Sequence, residues 1–313
     1  MPGIWFMWFR NARLYRITKA FEWSAEALEE ALAKRAFQPC GPQDTERLGW
    51  VSPLGRDGDQ LVFTSGECHL VCLRREEKVL PPAVIREEVD ERVAAAEEER
   101  GQPLRRKDKT EIKEQVTLEL LPRAFTKSRF IHAYIAPSQE LVVVDSAASN
   151  AAETLLSELR ETLGSMPVRP PTVQQSPAFT MTQWLRGEAH PPAGLVPADE
   201  CELRDDEEQG GVVRIKGVGL DGDEVRAHLD NAMSVTRLAL DWEDQLSFML
   251  DDELTIRRLR FGDDLKEKLD DDAGDDRVAR FDAAFSLMTL ELSRLVPALL
   301  EAFGGEDRSA LSA

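Results

Sequence analysis

The 313-residue sequence predicts an α+β protein: antiparallel sheets with helices and a projecting helical hairpin. Three observations carry that expectation. The segments run strands, helix, strand pair and helix rather than in the strict strand–helix alternation of a doubly wound parallel sheet. Residues 81–121 read as two helices with only a thin apolar stripe, so they do not sit in the middle of a core. The last long segment carries a broad apolar face at helical spacing, as a core helix does.

Taken in order, "WFMWFR" and "RLYRIT" read as strands, and "SAEALEEALAKRA" reads as a helix with Ser24 as its N-cap. "FQPCGPQD" is a turn-rich loop. "DQLVFTSGECHLVCLRREEKVL" reads as a hairpin with Ser-Gly at the turn. Pro81 and Pro82 suit the first turn of a helix over "AVIREEVDERVAAAEEERG", whose apolar stripe is Val84, Ile85, Val89 and Val93. Gly101 and Pro103 break it, and a second helix over "KDKTEIKEQVTLELL" ends before Pro122. "RFIHAYIA" and "ELVVVDSA" read as strands, and "SNAAETLLSELRETLG" as a helix with Gly164 as its C-cap.

The Pro-rich residues 164–178 read as a linker. After it come a short helix "FTMTQWLRG", strands around "ECELRD" and "GVVRIKGVGL", a helix "GDEVRAHLDNAM", and an antiparallel set over "SVTRLALDWE" and "QLSFMLDDELTIRRLRF". The final helix, Arg277 to Phe303, has Val278, Phe281, Phe285, Met288, Leu292, Leu295 and Leu299 on its apolar face. The expected division is residues 1–80 as an N-terminal α+β part, 81–129 as the hairpin with an adjoining loop, 130–165 as strands and helix completing that region, and 166–313 as a C-terminal antiparallel sheet with its long helix.

A content of 42% hydrophobic and 31% charged residues fits a soluble globular protein with a real core. No apolar run approaches the roughly 20 residues a membrane span needs, and the N-terminus lacks the pattern of a secretory signal. The expectation is a cytoplasmic protein with no membrane partner. Cys68 and Cys72 share one face of a strand, and with Cys40 and Cys201 they read as reduced thiols rather than metal ligands.

The net charge of −19 is unevenly spread. Residues 1–130 hold 22 basic and 22 acidic side chains, whereas residues 131–313 hold 17 and 36. Inside the neutral half, residues 100–129 carry nine basic and four acidic side chains, an island around Arg105, Arg106, Lys107, Lys109 and Lys113. Overall acidity argues against whole-surface affinity for nucleic acid but not against a segregated cationic patch.

Signatures of catalysis are missing. The sequence has no phosphate-cradling G-x-x-x-x-G-K-[ST], no G-x-S-x-G and no H-E-x-x-H, and its four histidines are scattered. Asp251–Asp252 and Asp270–Asp272 read as solvated turns. No enzyme, cofactor or metal is expected.

The C-terminal strands are more informative. Arg214 and Lys216 alternate with Val213 and Ile215. Arg237 lies opposite Leu238, Leu240 and Trp242; Arg258 and Arg260 lie opposite Leu259 and Phe261, with Arg257 on the apolar side. Three strands therefore turn basic side chains to a non-core face while acids gather in loops. Two readings stay open here: an electrostatic channel, or charge pairing on a solvated sheet, with Arg237 meeting Asp241. In "LLPRAFTKSRF", Phe125 reads as a loop aromatic among Arg123, Lys127 and Arg129, suited to base stacking, to a partner's pocket or to its own core.

The stretches "WFRNARLYR", "AFQPCGPQDTERLGWVSPLG", "REEKVLPPAVI", "LLPRAF", "LVVVDSAASNAAETLLSELRETLGSMPV", "LTIRRLRF" and "FDAAFSLMTLELSRLVPALLEAFGGE" run almost from end to end of the chain. With them the sequence resembles the bacterial recombination-associated protein RdgC family. That resemblance implies a non-enzymatic, nucleoid-associated protein that closes into a ring-shaped homodimer, encircles duplex DNA without sequence preference, and limits access of the RecA recombinase, with a role in replication fork maintenance. Binding of single-stranded DNA is also expected. The implied lining is Arg214, Lys216, Arg237, Arg258 and Arg260, with the hairpin cations and Lys127 and Arg129 beside them. The match at "LPRAF" implies that Phe125, with Arg123 next to it, belongs to the contact that closes the ring. Residues 1–6 look like an extension relative to the family, with Met7 as an alternative start. Rival readings are an acidic DNA mimic that binds basic DNA-processing proteins, and a metal-dependent nuclease.

Overall fold

The structure is a computed structural model that describes residues 8–205, 210–267 and 276–311. It is a mixed fold of two antiparallel sheets with helices, as the sequence predicts. The first sheet holds β1 (Arg13–Ile17), β2 (Glu46–Val51), β3 (Val62–Ser65), β4 (Cys68–Val79), β5 (Phe125–Ala136), β6 (Leu141–Val144) and β7 (Val168–Arg169), in the order β2-β4-β5-β6-β1-β7. β3 shares an edge of β4 with β2: Val62 faces Val71, and Val51 faces Cys72. The second sheet runs β12-β11-β10-β8-β9, from β8 (Leu195–Asp205), β9 (Val212–Lys216), β10 (Met233–Trp242), β11 (Leu246–Asp251) and β12 (Ile256–Phe261).

The helices are α1 (Ala25–Ala33), α2 (Pro82–Arg100), α3 (Arg106–Leu120), α4 (Ser149–Leu163), α5 (Pro177–Arg186), α6 (Asp223–Asp230) and α7 (Arg277–Ala302). Ser24 caps α1 by accepting the Ala27 N–H, and Pro82 opens α2. Gly101 and Gly164 end α2 and α4 in the left-handed conformation that glycine adopts without a Cβ penalty.

Two cores separate the layers. One lies between α1, α4 and one face of the first sheet, with Leu28, Leu32, Val71, Leu73, Leu155 and Leu159. The other gathers Leu70, Tyr134 and Val143 from the opposite face of that sheet, Leu203, Leu238 and Leu250 from the second sheet, and Phe285, Met288, Leu292 and Leu295 of α7. α7 thus fills the space between the sheets; Phe285 meets the rings of Phe63 and Tyr134 edge-on. α7 is long and apolar enough to cross a membrane, but more than half of its apolar window is buried inside the fold.

The Pro-rich segment 164–178 is tied to the body. β7 pairs with β1, and the Gln174 and Gln175 N–H groups donate to the carbonyls of Gly305 and Phe303. Half of the expected strand over "WFMWFR" falls outside the described residues, and Trp8, Phe9 and Arg10 are not in a strand. β2 has no counterpart among the expected elements. It packs so closely on the preceding loop that a Cβ at Gly49 would stand 2.3 Å from the Phe37 Cα, so only glycine fits there.

β4 and β5 stay paired over their whole length, from His69–Ile135 to Val79–Phe125. The inner half of β5 is buried, while its outer half is largely exposed. This ribbon projects from the sheet and carries α2 and α3 at its end. The expected helical hairpin is therefore the tip of a longer arm, and Phe125 opens a strand instead of lying in a loop.

Candidate nucleic-acid interface

The outer face of the second sheet holds five of the predicted cations, Arg214, Lys216, Arg237, Arg258 and Arg260. Along β8, Cys201 and Leu203 point into the core, so Glu200, Glu202 and Arg204 point outward. The ladder sets Glu202 opposite Arg214 of β9 and Arg237 of β10, and sets Arg237 opposite Asp251 of β11. Arg257 of β12 completes the row by donating to Asp251 at 2.6 Å. One line across five strands thus reads cation, carboxylate, cation, carboxylate, cation. Cross-strand opposite charges stabilise a sheet, and five strands span roughly 20 Å.

The carboxylates are the better buried members. The Glu202 side chain is 6% exposed and takes Arg214 at 2.8 Å, Arg237 at 3.1 Å and Arg204 at 3.9 Å. Arg237 meets Glu202 and not the expected Asp241, because its register neighbour is on β8. Burial works against the charged form of Glu202, but the Arg214 hydrogen bond and the nearby charges of Arg237, Arg214 and Arg204 outweigh it, so it ionises below the usual carboxylate range. Glu200 takes Arg258 at 3.0 Å and Lys216 at 3.8 Å, and the Arg258 hydrogen bond pulls its ionisation down as well. Arg214 and Lys216 remain 75% and 73% exposed, so their charge faces solvent. Of the two readings left open by the sequence, charge pairing is what the described residues show, and Arg214 and Lys216 still present their charge to solvent.

β12 departs from the expected alternation. Arg258 has a φ of 51°, and the pairing with β11 shifts register between Ser247 and Met249. This β-bulge turns Arg257 outward together with Arg258 and Arg260. Arg257 therefore lies on the charged face, which corrects its expected placement on the apolar side. Asp251 is likewise no solvated turn residue: it is buried and accepts the N–H groups of Glu253 and Thr255.

The bulge is fixed by the segment that joins the sheets. Asp145 accepts the N–H groups of Arg10 and Asn11, the Asn11 side chain accepts the Arg258 N–H, and Ala12 exchanges backbone bonds with Ile256. Three stretches that stand out in the sequence, "WFRNARLYR", "LVVVDSA" and "LTIRRLRF", meet at this joint.

The arm holds the remaining predicted residues. Arg105 and Arg106 lie at the α2–α3 turn, and Lys107, Lys109 and Lys113 follow on α3. Lys109 pairs with Glu97 at 3.0 Å and Lys107 with Glu111 at 3.8 Å, whereas Arg105, Arg106 and Lys113 have no ion pair among the described residues. Arg123 sits in the short 3-10 turn that leads into β5. Phe125 is 87% exposed, opposite half-exposed Val79, and shares a face with Lys127 and Arg129. Arg129 reaches Glu77 at 3.9 Å. On the other face Arg74 lies over the rings of Phe37 and Phe130, and Glu76 accepts the N–H of Cys40 from the "FQPCGPQD" loop.

The structure brings together Arg214, Lys216, Arg237, Arg258 and Arg260, and separately the arm cations with Phe125. Among the described residues no ion pair links the two groups. Sequence reasoning misses Arg204 and the two carboxylates, although the alternation in "ECELRD" carries the signal for Arg204 and Glu202. The expected acidic loops at 206–209 and 270–275 lie outside the described residues.

A family profile described as "Putative exonuclease, RdgC" matches residues 7–306. The chain is 45% identical over 303 residues to the recombination-associated protein RdgC of Aeromonas hydrophila, covering 97% of this chain and all of that one. It is 44% identical to the proteins of the same name from Pseudomonas entomophila and Tolumonas auensis, over 96% of this chain and 98% and 99% of theirs.

Proposed function

The chain belongs to the RdgC family of recombination-associated proteins, and from that membership we propose that it is a non-enzymatic protein that binds duplex DNA without sequence preference. In this reading it closes into a ring homodimer around the duplex and restrains RecA-mediated recombination by occupying DNA, with a part in replication fork maintenance at the nucleoid. The observation that carries the DNA-binding step is the outward row of exposed guanidiniums and ammonium on the second sheet, within a chain whose net charge is −19. Such side chains neutralise phosphates and release condensed counterions, which supplies affinity independent of sequence. An acidic remainder then disfavours DNA elsewhere on the surface. The arm, with exposed Phe125 beside Lys127 and Arg129, is the proposed closing contact between subunits.

The test is a duplex titration across salt, with a magnesium arm. The expected result is binding to unrelated duplexes with similar affinity, log K falling steeply with log salt, and intact DNA after incubation with magnesium. No binding at low salt overturns the reading in favour of a protein-binding DNA mimic. Degradation that depends on magnesium overturns it in favour of an exonuclease, the activity named in the family's description.

A further inference from the structure

We infer that Glu200 is an internal phosphate surrogate that sets how tightly the sheet face grips DNA, competing with the DNA backbone for Arg258 and Lys216. This inference rests on the DNA-binding reading above. Arg258 meets Glu200 through two nitrogen–oxygen contacts of 3.0 Å each, from Nη1 to Oε2 and from Nη2 to Oε1. That fork-on-carboxylate geometry is the one in which a guanidinium also takes a phosphate. Lys216 approaches the same carboxylate from the other side at 3.8 Å.

Burial divides the two carboxylates into different roles. Glu202 is 6% exposed and bound by arginines from three strands, so no phosphate reaches it, and it serves as a fixed spacer. The Glu200 side chain is 26% exposed, and its partners Arg258 and Lys216 are 50% and 73% exposed. Those two cations can leave Glu200 for a phosphate without stranding a buried charge, because water reaches the carboxylate they leave. While Glu200 holds them, its charge offsets part of theirs and weakens every DNA contact the face makes. The consequence is a grip that is looser and more readily exchanged than the exposed cations alone would give.

The experiment uses the full-length chain with Glu200→Gln, which keeps the shape and removes the charge, and a mixed-sequence duplex titrated across salt. A matched change at Glu161 of α4, which pairs with Arg35, controls for net charge alone. The expected result is several-fold tighter binding by Glu200→Gln and a steeper dependence of log K on log salt, with Glu161→Gln close to the parent. In an Arg258→Ala background the gain from Glu200→Gln should shrink. An unchanged or weaker affinity for Glu200→Gln, with thermal melting showing a folded protein, overturns the inference while leaving DNA binding intact. Equal tightening by both Gln variants also overturns it. Failure of the parent chain to bind duplex removes the reading on which it depends.

Discussion

At the scale of the residue, Glu202 decides the character of the candidate surface. Its carboxylate is buried beneath three arginines that stay in contact with water. Both Glu202 and Glu200 ionise below the usual carboxylate range, so their contribution to stability is fully present above the unfolded value of about 4.3 and is lost as pH falls through their folded values. Glu202→Gln should therefore lower stability at pH 7 by roughly 1–2 kcal/mol, a moderate cost because the freed guanidiniums remain solvated. It should also flatten the loss of stability below pH 4; urea melts from pH 3 to 7 measure both. The sequence shows that Glu202 and Arg204 alternate with Cys201 and Leu203, but not that Arg214 and Arg237 arrive from two other strands. The misplacement of Arg257 has a different cause. Its neighbour Arg258 adopts a positive φ with no glycine or asparagine to mark the bulge, and a strict period of two then puts Arg257 on the wrong side.

At the scale of the element, the arm is the feature the sequence describes least completely. Its helices are legible because Pro81, Pro82, Gly101 and Pro122 punctuate them, and because their apolar stripe is thin. The ribbon beneath is legible only in part: β4 reads as a strand to its end and β5 from Arg129 on, but "FTKS" at the start of β5, exposed except for Ser128, has no apolar alternation to mark it as a strand. β2 is hidden similarly, since Glu46 and Arg47 are exposed and Gly49 interrupts the pattern where Phe37 presses against it. With 87% of its surface open beside Val79, Phe125 has the exposure of an anchor that a partner covers. Phe125→Ala should leave the fold unchanged, because the ring supports nothing in its own chain, and should weaken subunit association by about 2–4 kcal/mol. Sedimentation equilibrium reads that change. An unaltered association constant means that the arm does not close the assembly through this residue.

At the scale of the whole molecule, the organising device is the segregation of charge. The second sheet turns its apolar face to α7 and its cations outward, and Glu202 and Asp251 sit low in that outward face beneath their arginines. That arrangement lets a net charge of −19 coexist with the proposed affinity for DNA. The fold class and the cationic strands can be read from periodicity alone. The pairing that tempers those cations needs the register of five strands, and no local pattern encodes register between strands that lie far apart in the chain. The central claim is that this face holds the DNA backbone. The most direct measurement is the salt dependence of duplex binding for the protein carrying Arg258→Glu and Arg260→Glu together, compared with the parent. If the claim is right, affinity falls alike for every sequence, and the slope of log K against log salt shrinks by about 0.9 for each phosphate that is no longer neutralised. An unchanged affinity and slope in the folded double variant would contradict it.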